Sequence, residues 1–155
     1  MKQKPAYILN HCTTRPKFGL HQGIDNAMLS TEATARKSYS GAGITASDLS
    51  FENMYDGFTV FHNHYLEGLG YAGIKKGEVL DFYQTDISRD GPNPVSPSGG
   101  NSGSGRTRFW AHTDTIQQIQ GRAGPRQIRK RAEIGISGGP MPQGGDFMVW
   151  SSTPD

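Results

Sequence analysis

With 155 residues, 34% of them apolar and 10% aromatic, the chain has enough core-forming side chains for one compact domain, which argues against a disordered segment. Its 21 glycines and 9 prolines argue against a helical bundle and for a loop-rich α/β or α+β domain. A net charge of +2, one cysteine and no apolar run of membrane-spanning length exclude an internal disulfide and point to a cytoplasmic protein with no membrane partner.

The first predicted strand is the apolar run AYILN at 6–10, followed by a loop. From Ser30, STEATARKSYSGAGI places a candidate N-cap ahead of about three helical turns, with Gly41 and Gly43 as stop signals. A short buried strand over Leu49 to Met54 then meets Asp56, a candidate N-cap. Beyond it Phe58, Phe61, Tyr65 and Leu69 recur on one helical face, and Gly68 and Gly70 end that helix. Tyr55 and Asp56 therefore sit where a strand hands over to a helix.

Residues 85–107 hold many turn-forming residues and no apolar period, and a loop this long inside a compact domain is usually functional. A short helix capped by Thr113 or Asp114 follows, with Ile116 and Ile119 inward, until GRAGPRQ breaks it. AEIGI and DFMVWSS read as two strands flanking the hairpin loop SGGPMPQGG.

Within the long loop, SGGNSGSGRTRF comes close to a phosphate-binding P-loop, because Gly100, Gly105, Arg106 and Thr107 give G-x-x-x-x-G-R-T. The required context fails: Pro92, Pro94 and Pro97 bar the preceding residues from a central strand, and a planar guanidinium does not replace the lysine ammonium. His62 and His64 form H-x-H, but i, i+2 spacing turns them to different faces of a helix, against a shared metal. Arg122, Arg126, Arg129, Lys130 and Arg131 could face phosphate or form a structural or interface surface; without interleaved aromatic residues they argue against nucleic acid.

Three motifs in order, ENMYDGF, PVSPSGGNSGSGR and QQIQGRAGPRQI leading into AEIGISGGPMPQGGDFMVW, resemble the C-terminal half of the thiolase superfamily. The resemblance is to thiolase-like lipid-transfer proteins related to sterol carrier protein thiolases, and runs over nearly the whole chain. Gly99 and Gly100 match the family's G-G pair and Gly105 the glycine of its G-H-P; Gln118, Gly121, Ala123, Gly124, Arg126 and Gln127 match the next signature. This implies an α/β fold, a thiolase-like half with a mixed five-stranded sheet and helices on both faces, within one C-terminal domain over 1–155. The N-terminal half would come from a longer product, a separate chain or a homologous subunit, and the isolated half is expected to be inactive.

The departures fall on the chemistry. Tyr55 stands where the family has Asn or His, Asp56 where it has Glu or Asp, and Arg106 where it has the histidine of G-H-P. The C-x-G-G cysteine aligns near Gly135 or Ile136, and Cys12 matches no family cysteine. A tyrosine whose pKa, ordinarily near 10, is lowered by a cation such as Arg106 can take a hydroxyl proton or donate to an enolate.

By the resemblance, Tyr55, Arg106 and Asp56 are the catalytic candidates, and Gly99, Gly100, Gly105, Gly138 and Gly139 shape the substrate floor, with His112 a further lining candidate. The substrate class is an acyl-coenzyme A thioester, with coenzyme A entering as part of the substrate and no bound cofactor or metal. The reaction is acyl transfer or retro-aldol cleavage; some relatives that use tyrosines work with an OB-fold partner. The competing reading is a non-catalytic thiolase-fold binding or scaffold module.

Overall fold

The computed structural model describes residues 3–14, 23–105, 109–139 and 146–154. Strands β1 (Tyr7–Thr13), β2 (Phe51–Met54), β3 (Ile134–Gly138) and β4 (Asp146–Ser151) form one mixed sheet in the order β1-β4-β3-β2. Strands β2 and β3 run parallel, with Phe51 opposite Gly135 and Met54 opposite Gly138. Both neighbours of β4 are antiparallel to it.

The expected α/β class and mixed sheet hold, but the described residues form four strands rather than five. Beyond β2 the chain makes only an isolated parallel bridge, Glu52 with Val95. Pro94 and Pro97 flank that bridge and lack the N–H groups that a continuing ladder needs.

The pleat sorts the side chains into two cores. Met54, Ile136, Phe147 and Val149 join Ala35, Tyr65, Leu66 and Leu69 from α1 (Gly23–Ala42) and α2 (Thr59–Leu69). Phe51 and Trp150 alternate with them and meet Ile119 of α5 (Trp110–Ile119), together with Ile128 and Ala132. Helices therefore cover both faces, and no helix among the described residues is long and apolar enough to cross a membrane.

Three expected caps lie elsewhere. Helix α1 begins at Gly23, so Ser30 is inside it, buried with Thr31, Thr34 and Ser38 on the inner face. Of these hydroxyls, Thr34 Oγ1 bonds back to the Ser30 carbonyl at 2.7 Å and Ser30 Oγ lies 3.3 Å from Thr14 Oγ1. Small residues also bring α1 close to α2: a Cβ on Gly68 would stand 2.5 Å from the Thr31 methyl.

Helix α2 starts at Thr59 with Phe58 as its N-cap, because the Asp56 carboxylate is engaged by another element; Gly70, at φ +61°, ends it. Helix α5 starts at Trp110, which puts Thr113 and Asp114 inside it, Asp114 fully buried. Two short helices, α3 (Val79–Phe82) and α4 (Gly100–Ser104), complete the set, the second lying within the long 85–107 segment.

Candidate active site

The parallel pair β2 and β3 ends where the motif residues cluster. The Tyr55 N–H donates to the Gly138 carbonyl at 2.9 Å, extending the pairing one residue past the strand. The ring is buried and meets Phe58 edge-on at 6.3 Å, while its hydroxyl makes no hydrogen bond to any described residue. Gly139 closes the other side: its N–H donates to the Asp146 carbonyl at 2.9 Å and its own carbonyl accepts from the Tyr65 hydroxyl at 3.0 Å. At Gly138, with φ +145°, a Cβ would run into the Asp146 carbonyl, so the narrow turn requires glycine.

Asp56 fastens this strand end to the glycine loop. Its Oδ1 accepts from the Asn101 backbone N–H at 2.5 Å and from Asn101 Nδ2 at 2.8 Å. The carboxylate lies against Gly100, at φ +59°, where a Cβ would overlap it. The Gly99 N–H donates to the Ser96 carbonyl at 2.9 Å, and the Gly105 N–H, at the end of α4, to the Asn101 carbonyl at 3.0 Å.

A second set of bonds holds the same loop from the α5 face. The Ser98 N–H donates to Asn53 Oδ1 at 3.2 Å and its carbonyl accepts from Trp110 Nε1 at 2.9 Å. Asn53 Nδ2 in turn donates to Asp114 Oδ2 at 3.1 Å and Thr115 Oγ1 at 3.0 Å. Arg126 Nε meets Asp114 Oδ1 at 2.9 Å, and its guanidinium stands 4.7 Å from the Trp110 ring centre.

The Q-x-x-G-x-A-G-x-R-Q signature is thereby explained as scaffolding. Gln118 donates to the Arg126 carbonyl at 2.8 Å and accepts from the Ile128 N–H at 2.9 Å, while Gln127 bonds the Gln118 carbonyl at 3.1 Å and the Ala123 N–H at 3.1 Å. Of the basic run, Arg126 turns inward, Lys130 Nζ donates to the Pro92 carbonyl at 3.0 Å and Arg131 pairs with Glu133 at 3.1 Å. This favours the structural alternative for those three residues.

His112 approaches from α5. Its Nδ1 lies 2.7 Å from Ser137 Oγ, which also accepts from Trp150 Nε1 at 2.8 Å. The serine oxygen has a second lone pair beside the one the indole takes, so it can accept from an Nδ1–H or donate its own proton to Nδ1, according to the ring's tautomer. Burial lowers the His112 pKa most; Asp146 partly offsets this and His11 adds to it. Ser137 immediately precedes Gly138, so His112 is tied to the turn that Tyr55 touches.

Tyr55, Asp56, Gly99, Gly100, Gly138 and Gly139 thus come together at one end of the sheet, with His112 joined through Ser137; Arg106 lies outside the described residues. Sequence reasoning passed over Glu52, Asn53, Ser98, Asn101 and Ser137. An acidic residue inside a strand that reads as buried was the available signal for Glu52, because such a side chain must find partners.

It finds them in backbone donors and a histidine. Glu52 Oε2 accepts from the Met54 N–H at 2.7 Å and Oε1 from the Ser96 N–H at 2.9 Å, with His62 Nε2 at 3.5 Å from Oε1. His62 Nδ1 lies 2.9 Å from the Tyr83 hydroxyl. Burial pushes the His62 pKa down, but the Glu52 carboxylate beside the ring and the Asp56 charge together raise it above the ordinary value.

Among solved structures, a chain of the Ltp2-ChsH2(DUF35) aldolase matches 97% of this chain with a TM-score of 0.84 and 16% identity; this chain covers 40% of that one. No curated protein matches the sequence. The pattern of a family described as thiolase C-terminal domain-like matches residues 15–148. A match over most of the length, on a sheet whose parallel strand ends carry the motif residues, establishes that the chain belongs to the thiolase C-terminal domain-like family.

Proposed function

We propose that this chain forms the C-terminal half of a thiolase-like, lipid-transfer-type enzyme that cleaves a carbon–carbon bond in a β-hydroxyacyl-coenzyme A thioester by a retro-aldol reaction. The observation that carries this reading is Tyr55: a buried tyrosine whose hydroxyl bonds no described residue, held by its own N–H against the Gly138 turn. The cysteine of the family's C-x-G-G turn aligns near Gly135 or Ile136, so this chain brings no thiol to that turn, and Cys12 lies in β1 paired with Phe147. The similarity to the aldolase chain points the same way.

In this reaction the β-hydroxyl proton passes to a base and the O–H electron pair forms the new carbonyl. The Cα–Cβ bond breaks and its electrons remain as the enolate of the shortened thioester, which then takes a proton at Cα. Tyr55 is the group assigned to move the hydroxyl proton, and Arg106 the cation assigned to hold the enolate oxygen. His112, held through Nδ1 by Ser137 and favoured in its neutral form by burial, is assigned to the thioester carbonyl. The acyl pocket and the rest of the coenzyme site are assigned to an N-terminal half or homologous subunit, with an OB-fold protein as a further partner.

The test combines this chain with a candidate N-terminal half, with and without an OB-fold partner, and supplies β-hydroxyacyl-coenzyme A thioesters. The expected products are a ketone or aldehyde and a shortened acyl-coenzyme A, and Tyr55→Phe should reduce kcat by about 10²–10⁴-fold with little change in KM. Thioester exchange without C–C cleavage would move the assignment to acyl transfer. No turnover in any pairing would leave the chain as a binding or scaffold module.

A further inference from the structure

We propose that Glu52, with His62 as its counter-ion, is a positioning residue for the glycine loop: a buried clamp that fixes the loop's entry at Ser96 and thereby the closure of Asp56 on Asn101. The proposal rests on the reading that this loop borders the reaction site, and it gives a role to Glu52, which opens the ENMYDGF motif, and to His62, which lies outside the three motifs.

The geometry concentrates on one point of the chain. Glu52 is fully buried, and both its backbone carbonyl and its Oε1 accept from the Ser96 N–H, at 3.0 and 2.9 Å. Ser96 is a non-glycine residue at φ +44°, a conformation that persists only where the surroundings hold it. Three residues later come Gly99 and Gly100, and then the Asn101 that Asp56 grips, so a shift at Ser96 moves the donors at the site. Glu52 Oε2 meanwhile fixes the Met54 N–H, next to Tyr55, so one carboxylate braces both sides of the strand-to-loop contact.

The charge on His62 makes the clamp sensitive to pH. The groups that face His62 are Glu52 from β2, Asp56 from the following turn and Tyr83 from the segment after α3. Loss of the imidazolium proton leaves the Glu52 carboxylate buried with two backbone donors and no cation, and opening the loop to admit water is the relief available to it. The Glu52 charge also helps raise the pKa values of Tyr71 and Tyr83, after burial, so neither tyrosine competes as a charged neighbour near neutrality.

The test uses the full chain without substrate. Imidazole NMR should show His62 titrating above the ordinary 6.5, and protection of the Ser96, Ser98 and Asn101 amides, corrected for intrinsic exchange, should fall about tenfold as pH passes that midpoint. E52Q should lower the midpoint by about one unit or more and release the same amides at neutral pH, while the Ile128 amide, held by Gln118, stays protected. H62Q should abolish the pH-dependent release.

A His62 midpoint at or below 6.5, or loop protection independent of it, would overturn the proposal, as would equal loss of Ile128 protection in E52Q. If E52Q does not fold, the wild-type titration and H62Q decide. In the assembled enzyme E52Q should lower kcat more than KM. Turnover unaffected by E52Q, with Tyr55→Phe inactive, refutes the clamp alone; substrate-free results as expected with no turnover in any pairing refute the functional reading alone.

Discussion

At the scale of single residues, the glycines of the long loop separate into those that contact the site and those that do not. Gly100 combines φ +59° with a Cα that faces the Asp56 carboxylate, so Gly100→Ala meets backbone strain and a collision together. Expected destabilisation is about 2–4 kcal/mol, read as a lower urea midpoint at unchanged m, with loss of the Asp56–Asn101 bonds. Gly103, three residues on, has no strained φ and nothing within 4 Å of a Cβ. Gly103→Ala should therefore be neutral or stabilise α4 by up to about 1 kcal/mol, a control showing that position rather than residue type decides.

At the scale of elements, α5 is fixed to β2 by the chain of bonds from Arg126 through Asp114 and Asn53 to Ser98. Arg126→Met removes the guanidinium over Trp110 and leaves the fully buried Asp114 with the side-chain amides of Asn53 and Gln118 and no cation. This should cost about 3 kcal/mol or more in denaturant unfolding, and it should loosen the Ser98 amide in hydrogen exchange. Arg126→Lys should recover only part, because an ammonium cannot bridge Asp114 and Gln117 as the guanidinium does.

This network also shows what was legible in the sequence. Apolar patterning located β1, the hairpin strands β3 and β4 and the inner face of α2, because burial imposes its period on neighbouring residues. The polar residues that look like caps, Ser30, Asp56 and Asp114, were misread for a common reason. Capping rules consult the next few residues, whereas Asp56 bonds Asn101, 45 positions away, and Asp114 bonds Asn53, 61 positions away. The motif order led to the right strand ends, yet the bonds that hold those ends together join distant residues and carry no local signal. The fifth expected strand failed through prolines visible in the sequence, whose cost depended on which segment would lie beside β2.

At the scale of the whole molecule, two histidines, His62 buried and His112 half-buried, set opposing limits on stability. The His62 pKa is raised, so its contribution is complete below the ordinary value of 6.5 and is lost as pH rises through the folded-state value above it. The His112 pKa is lowered, so stability is complete above 6.5 and falls as pH drops from there toward the folded-state value, where the unfolded chain takes up a proton that the native one refuses. From these two groups the unfolding free energy peaks near pH 6.5 and declines on both sides. The acid limb is separable from the exposed carboxylates Asp48 and Asp86, whose lowered pKa values confine their effect to the region around and below 3.8. Denaturant titrations across pH should then show E52Q flattening the alkaline limb alone and His112→Gln the acid limb alone. A limb that keeps its slope in its own variant would place the responsible group elsewhere, and loss of both limbs in either variant would mean that the two faces of the sheet do not titrate independently.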